Sequence, residues 1–188
     1  MDNFWKGKKV RLRAATKDDT ELFINADGDF DTETARRYDY IDFPLSNEQI
    51  SKKLAEYETT KTAKDDYLFV IETIDHKRAG FIITFDCDNR NGTFKYGLFM
   101  LDEFKGKQMA SEAVKIMLSY YFNELRYNKV NVYIYDYNTP SLRFHEKLGF
   151  IREGELRDMS YSNGAYHNII FYGMTRLEFS KANPLKVL

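Results

Sequence analysis

Residues 93–101 read Thr93-Phe-Lys-Tyr-Gly-Leu-Phe-Met-Leu101, and Lys105-Gly-Lys-Gln-Met-Ala-Ser-Glu-Ala113 follows a few residues later. The first stretch predicts a β-strand, and the second predicts a small basic turn that opens into a helix. The first amide groups of a helix have no partner within the helix, and the helix dipole favours negative charge beside them. A strand that leads through such a turn into a helix therefore predicts a binding site for an anion.

The residues around this unit predict a mixed α/β sheet. A helix is expected over residues 109–125 and a further strand near residues 130–134. With the opening strand they form a strand–helix–strand unit, which implies a parallel pair with a right-handed crossover. Hairpins are expected on either side, over residues 67–85 and 150–175, and the second turns at an Asn-Gly dipeptide. The sheet is therefore expected to be mixed and mostly antiparallel, with helices on both faces.

A short helix is expected after the second strand of the unit. The segment reads Asn138-Thr-Pro-Ser-Leu-Arg-Phe-His-Glu-Lys-Leu-Gly-Phe150. Thr139 is the expected N-cap, Pro140 suits the first helical position, and Gly149 suits the position just past the end. These residues predict a helix of about two turns that ends at Leu148.

The N-terminal part predicts three further elements. Residues 10–13 alternate between apolar and basic side chains, which is typical of a half-buried strand. Thr16 is a plausible helix start, and Ser46-Asn-Glu-Gln49 is a capping box for a second helix.

Composition favours a single globular domain over residues 1–188, with its core at about residues 8–179. Hydrophobic residues make up 43% of the chain, enough for a substantial core. The net charge of −1 gives no drive towards nucleic acid, and the apolar runs are far too short to span a membrane. A single cysteine excludes an intramolecular disulfide, and no apolar signal segment opens the chain, so we expect a cytoplasmic protein.

The order of these motifs resembles the acyl-CoA-binding core of the GNAT acetyltransferases. Lys105-Gly-Lys-Gln-Met-Ala110 lies on the family's pyrophosphate turn, often written Arg/Gln-x-x-Gly-x-Gly/Ala, with Lys105 and Gln108 as departures. The segment from Asn138 to Phe150 is similar to the family's second motif almost residue for residue. The ending of the chain looks like the RimJ/RimL-type branch and its spermidine-acetylating relatives, and the likeness spans about residues 8–179.

The resemblance implies an enzyme that moves an acetyl group from acetyl-CoA to a primary amine by direct attack in a ternary complex. The amine could belong to a protein N-terminus, a polyamine or a small molecule. It also implies a GNAT fold in which two adjacent parallel strands splay apart to admit the pantetheine arm of the cofactor. The alternative is a non-catalytic CoA-binding or regulatory module of the same fold.

The resemblance also implies which residues hold acetyl-CoA. Backbone groups around Phe99, Met100 and Leu101 would pair with the pantetheine amides, and an amide near Met100 would serve as the oxyanion donor. The pyrophosphate would be held by the turn and the helix start, with charge from two lysines; these residues are Lys105, Gly106, Lys107, Gln108, Met109, Ala110 and Ser111. Asn138, Ser141 and His145 would line the channel near the thiol.

His145 is the candidate general acid, because it stands where the family usually has the tyrosine that protonates the leaving thiolate. A thiol has a pKa of roughly 8.5, so an imidazole is a workable donor. The alternative is that His145 faces solvent or only lines the CoA pocket. Many relatives have a glutamate base at the position of Lys95, so that base is not carried over, and Glu72 and Tyr96 are the substitutes.

The acceptor site is expected near the acidic segment 27–42, which would favour a cationic substrate. Glu33, Tyr38 and Tyr40 are its candidate residues, and the alternative is a solvated loop. An EF-hand is excluded because its glycine and terminal glutamate are missing, and no metal-ligand spacing occurs, so no metal is expected. Exposed terminal strands are candidates for pairing between two copies in a homodimer.

Overall fold

The computed structural model describes residues 3–27, 45–59 and 65–184. Seven strands of this part of the chain form one sheet; they are β1 (Val10–Ala14), β2 (Tyr67–Thr73), β3 (Arg78–Asp88), β4 (Thr93–Met100), β5 (Lys129–Tyr135), β6 (Ile151–Ser162) and β7 (Ala165–Thr175). Their order across the sheet is β1-β2-β3-β4-β5-β7-β6. The predicted mixed sheet is confirmed, because β4 and β5 are parallel and the other neighbouring pairs are antiparallel.

The described residues form five α-helices; they are α1 (Thr20–Asp27), α2 (Asn47–Thr59), α3 (Met109–Ser119), α4 (Thr139–Leu148) and α5 (Arg176–Ala182). A 3₁₀ turn at Lys17–Asp19 leads into α1, and a π-helical turn at Tyr120–Glu124 continues α3. The helix expected over residues 109–125 therefore changes its winding in its last turns. Within the described ranges, no helix is long and apolar enough to cross a membrane.

Helices cover both faces of the sheet, as predicted, because side chains alternate along each strand. Leu68 and Val70 of β2 pack in a cluster with apolar residues of α1 and α2. Phe69 and Ile71, on the opposite face of the same strand, pack in a larger cluster with α3. The sheet is therefore the middle layer between two apolar cores.

The parallel pair at the centre of the sheet is short. Thr93 pairs with Lys129, Phe94 with Val130 and Lys95 with Asn131, and the pairing then stops. Each strand continues for several residues beyond this point, so β4 and β5 diverge. The splayed pair implied by the family resemblance is thus present.

Two helix starts show how local sequence sets the elements. Gln49 donates its backbone N–H to Ser46 Oγ at 3.2 Å and accepts from the Ser46 N–H at 2.8 Å, so the predicted capping box is present. The N-cap predicted at Thr139 was wrong by one residue. The Asn138 side chain accepts from the Ser141 N–H at 3.3 Å and caps α4, because an asparagine carbonyl reaches the third amide of the helix.

Helix α5 was not predicted from the sequence. Thr175 accepts from the Glu178 backbone N–H at 3.3 Å, and Glu178 accepts from the Thr175 N–H at 2.8 Å. This Thr-x-x-Glu capping box is visible in the sequence and would have predicted a helix start there. Phe179 then packs against Phe122, which attaches the helix to the core.

Candidate functional site

A cleft of about 570 Å³ opens where β4 and β5 diverge. It runs between the two strands towards the start of α3, and α4 closes its other side. The residues that line it are Tyr96, Gly97, Leu98, Met100, Phe104, Lys105, Gly106, Gln108, Met109, Ala110, Ser111, Val132, Tyr133, Ile134, Tyr135, Asn138, Pro140, Ser141, Phe144 and His145. The cleft is therefore apolar between the strands and polar at the turn that begins α3.

The turn before α3 has two residues with left-handed backbone. Gly106 has a φ of 75° and Gln108 has a φ of 65°. For glycine this conformation is free of steric cost, whereas for glutamine it costs of order 1 kcal/mol. The side chain of Gln108, the residue at the N-cap of α3, makes no capping hydrogen bond, so the amides of the first turn can serve an anion in the cleft.

Ten of the residues that the resemblance assigns to acetyl-CoA line this one cleft. They are Met100, Lys105, Gly106, Gln108, Met109, Ala110, Ser111, Asn138, Ser141 and His145. They come from β4, from the turn with α3, and from α4 with the residue that caps it. The fold thus joins the two sequence motifs across the splayed strands.

Three of the assigned residues lie outside the cleft lining. Phe99 is on the opposite face of β4, where its ring packs 5.1 Å from that of Phe81. Leu101 donates its backbone N–H to the Ala79 carbonyl at 2.9 Å, so this amide is already used. Lys107 is exposed, and its ammonium lies 5.7 Å from the centre of the ring of Phe104, a cleft residue.

His145 is held in one protonation state by its neighbours. Its Nδ1 lies 2.8 Å from the carbonyl oxygen of Ser141, and its Nε2 lies 2.9 Å from the Tyr96 hydroxyl. A carbonyl oxygen only accepts, so Nδ1 carries the proton and Nε2 accepts the Tyr96 O–H. Burial lowers the pKa of His145 to about 4, although the hydrogen bond to Ser141 opposes this shift.

The imidazole is therefore neutral at pH 7 and offers no free N–H to the cleft. Tyr96 is also buried, and burial raises the pKa of its phenol well above the usual value. In this arrangement, His145 fixes the direction of the Tyr96 hydroxyl. The geometry favours this orienting role over the predicted role of general acid.

Glu72, a candidate base, lies on β2 and is not among the residues of the cleft lining. Its carboxylate accepts from Arg11 and, at 2.9 Å, from Arg13. Burial alone would raise the pKa of Glu72, but the hydrogen bonds from the two arginines outweigh it and lower the pKa. A carboxylate in this state is a weak base, and its contacts join β1 to β2.

Lys95 is the last residue of β4 that pairs with β5, at the position where the family resemblance implies an acid. Its ammonium lies 2.8 Å from Asp86 Oδ2 and 4.4 Å from the centre of the Tyr133 ring. Burial lowers the pKa of Lys95, but the hydrogen bond to Asp86 helps to raise it above the usual value. Lys95 is thus a permanent cation and not a proton acceptor.

The three candidate acceptor residues, Glu33, Tyr38 and Tyr40, lie outside the described residues. Tyr96 was predicted only as a substitute base, and the apolar side chains of the cleft were not predicted. The period-two pattern of β5 could have identified Val132 and Ile134 as cleft residues, since both lie on the buried face of a splayed strand.

Comparisons with known proteins agree with this fold and site. Residues 9–151 match the family model of the acetyltransferase (GNAT) domain. YokL, an uncharacterized N-acetyltransferase derived from the SPbeta prophage in Bacillus subtilis (strain 168), is 39% identical over 176 residues, which cover 94% of this chain and 95% of YokL. The spermidine N(1)-acetyltransferase of Escherichia coli (strain K12) is 29% identical over 102 residues, which cover 54% of each chain.

Among solved structures, the spermidine N-acetyltransferase from Vibrio cholerae in complex with CoA and spermine has a TM-score of 0.80. The match covers 92% of this chain and 99% of that protein at 17% sequence identity, so the likeness concerns the fold alone. The family model covers most of the chain, and the similarity to YokL extends over nearly all of it. The chain therefore belongs to the GNAT family of acetyltransferases, enzymes that use acetyl-CoA.

Proposed function

We propose that this protein transfers the acetyl group of acetyl-CoA to a primary amine by direct attack in a ternary complex. The divergence of β4 and β5 is the observation that carries this proposal, because it opens a cleft between two strands that leads to the start of α3. Such a cleft can hold a long flexible arm between the strands and an anionic group at the helix start. We also infer that the chain forms one domain, since strands from both ends of it share one sheet.

The residues present fit acetyl-CoA. The first amides of α3 and the basic turn suit the pyrophosphate, and the apolar walls formed by Val132 and Ile134 suit the arm. Bound acetyl-CoA supplies an acetyl group activated as a thioester. We propose that the Met100 amide donates a hydrogen bond to the carbonyl oxygen of this group as negative charge develops on it.

The proton transfers of this reaction do not require a strong acid from the protein. The C–S bond breaks as the C–N bond forms, the amine loses one proton, and the thiolate gains one. A thiolate with a pKa of roughly 8.5 leaves readily near neutral pH, so a strong acid is unnecessary. The single Tyr96 O–H proton is donated to His145 Nε2, so we propose that the thiolate takes its proton from the ammonium group that the attacking amine becomes, directly or through water.

The acceptor must arrive as a neutral amine, because a protonated amine has no lone pair. An α-amino group has a pKa of about 7.7–8.0, whereas a lysine-like amine near 10.4 costs roughly 4 kcal/mol to deprotonate at pH 7.5. Lys95 is a cation and Glu72 is held by arginines, so neither serves as a base. With no base among these candidates, we propose an α-amine as the acceptor, or an amine that loses its proton through a chain of water molecules.

A second candidate is a CoA-binding module without catalysis. The neutral state of His145 and the replacement of the usual acid by Lys95 favour it. One assay separates the two: the protein is mixed with acetyl-CoA and a panel of α-amines, polyamines and amino sugars, and free thiol is measured. We expect thiol release that depends on the amine. CoA binding without turnover on any amine would support the module, and a failure to bind CoA would refute both.

His145 is expected to make the stability of the fold pH-dependent. Its pKa is about 4 in the fold and about 6.5 when unfolded, so below pH 6.5 the unfolded chain binds the proton more readily. The stabilisation linked to neutral His145 is present above pH 6.5 and is lost as the pH falls towards 4. We expect the wild type to lose about 2 kcal/mol of unfolding free energy from this group between pH 7.5 and 5.0.

Urea denaturation at the two pH values measures this effect. His145→Gln should lack this component of the loss, whereas His76→Gln, at an exposed turn position, should keep it. An equal loss in the wild type and in His145→Gln would show that His145 is not held neutral.

A further inference from the structure

The ammonium group of Lys9 hydrogen-bonds to two consecutive residues of the turn before α3. Lys9 Nζ donates to the Lys107 carbonyl at 2.9 Å and to the side-chain oxygen of Gln108 at 3.1 Å. Gln108 is the residue that replaces the usual glycine, and its backbone is left-handed. The Lys9 contact therefore holds Gln108 in a conformation that its side chain does not favour by itself.

Glu112, in the first turns of α3, holds the segment that carries Lys9. Its carboxylate accepts the backbone N–H groups of Lys8 at 2.7 Å, of Lys9 at 2.7 Å and of Val10 at 3.1 Å. Gly7 approaches the same carboxylate so closely that a Cβ there would lie 2.6 Å from the Glu112 side chain. Val10 begins β1, so this contact ties the start of α3 to the edge of the sheet.

The brace formed by Lys9 and Glu112 lies outside the cleft. Lys9 is exposed and does not line the cleft. The turn that it contacts does line the cleft, through Gly106 and Gln108. Its effect on a ligand therefore passes through the turn. A fixed turn keeps the first amides of α3 directed at the cleft, so an anion binds without first ordering them.

We propose that Lys9 is a positioning residue for acetyl-CoA, which compensates for the loss of glycine at position 108 by locking the pyrophosphate turn. This inference rests on the proposed function. Glu112 supports Lys9 by fixing its backbone. The ligand group concerned is the pyrophosphate of CoA, and the acetyl-transfer step itself is unaffected.

Isothermal titration of CoA tests the inference. Lys9→Met is expected to raise the Kd for CoA about tenfold. Lys8→Met is the matched control: it removes the same charge from the adjacent position, and the Lys8 ammonium has no hydrogen bond or ion pair in the part of the chain described. We expect it to change the Kd less than about twofold. In turnover, Lys9→Met should raise KM for acetyl-CoA with kcat and the amine KM unchanged.

A double variant distinguishes locking from simple charge attraction. Glycine adopts a left-handed backbone without a brace, so Gln108→Gly should restore tight CoA binding when combined with Lys9→Met. Absence of that rescue would overturn the locking role, as would equal weakening by Lys8→Met and Lys9→Met, or wild-type affinity in Lys9→Met. If the wild type does not bind CoA, both the proposed function and the role of Lys9 are refuted. If the wild type binds CoA, the proposed cofactor is supported, and the variants then test the role of Lys9 alone.

Discussion

Ala110→Glu is expected to raise the Kd for CoA at least about 100-fold. Ala110 is the second residue of α3 and lines the cleft where we propose that the pyrophosphate binds. A carboxylate there would face a like charge at a few ångströms, and at an effective dielectric constant near 20 such repulsion amounts to about 3–4 kcal/mol. A 100-fold change corresponds to about 2.7 kcal/mol. Titration calorimetry with CoA measures it.

The same substitution should leave the fold intact, because glutamate is a good helix former and a negative charge is favourable in the first turn of a helix. Ala110→Gln is the matched control, with nearly the same volume and no charge, and we expect a much smaller rise in Kd. Equal loss of binding in the two variants would show that crowding and not charge is responsible. Unchanged binding in Ala110→Glu would place the anion elsewhere.

Asp19→Asn is expected to lower the free energy of unfolding by about 3 kcal/mol. Asp19 is fully buried, and its carboxylate accepts two hydrogen bonds from Arg13, at 2.7 and 2.8 Å, and one from Arg78 at 2.7 Å. It also accepts from the Thr16 N–H at 2.9 Å. Removing its charge takes this counter-ion from both Arg13 and Arg78, although Arg13 keeps its contact with Glu72. Breaking a buried pair in this way costs about 3–5 kcal/mol. Because both arginines are partly exposed to solvent, we expect a loss of unfolding free energy at the lower end of this range.

Urea denaturation at pH 7.5 measures this loss. The control is Asp86→Asn, which removes one partner of the more exposed ion pair with Lys95 and should cost less than about 1 kcal/mol. Comparable losses in the two variants would show that burial does not strengthen the Asp19 contacts.

The Asp19 contribution also depends on pH. Burial alone would raise the pKa of Asp19, but hydrogen bonds from Arg13, Arg78 and Thr16 outweigh it and hold the pKa well below the usual value. A carboxyl whose pKa is depressed in the fold stabilises it above the unfolded value, near pH 4, and this stabilisation is lost as the pH falls further. Asp19→Asn should therefore be less sensitive than the wild type to acid below pH 4.

Local sequence predicted most elements of the fold. Alternating apolar residues identified the strands, and Gly149 has the left-handed backbone expected just past a helix end, with a φ of 94°. The hairpin turn at Asn163 and Gly164 is also where it was expected. These features could be predicted because they depend on residues within one or two turns of each other. The error at a helix end, the N-cap predicted at Thr139 and found at Asn138, is a displacement of a single residue.

The cleft was predictable in outline and not in its chemistry. The two motifs identified the turn and α4, but the contact between Tyr96 and His145 joins residues 49 positions apart. The brace from Lys9 to Gln108 spans 99 positions. No spacing rule relates residues so far apart, since the sheet register and the helix docking decide which of them meet.

For this protein, the sequence alone determined most of the elements, the family resemblance and the place of the cleft, because periodicity, caps and turns act over short distances. The tertiary structure decided the state of the groups in that cleft. Burial and the Ser141 carbonyl make His145 neutral, Asp86 keeps Lys95 charged, and a lysine from the N-terminal segment holds Gln108. A pKa and a strained backbone depend on neighbours brought together by folding, and the same residue types in another packing would behave differently.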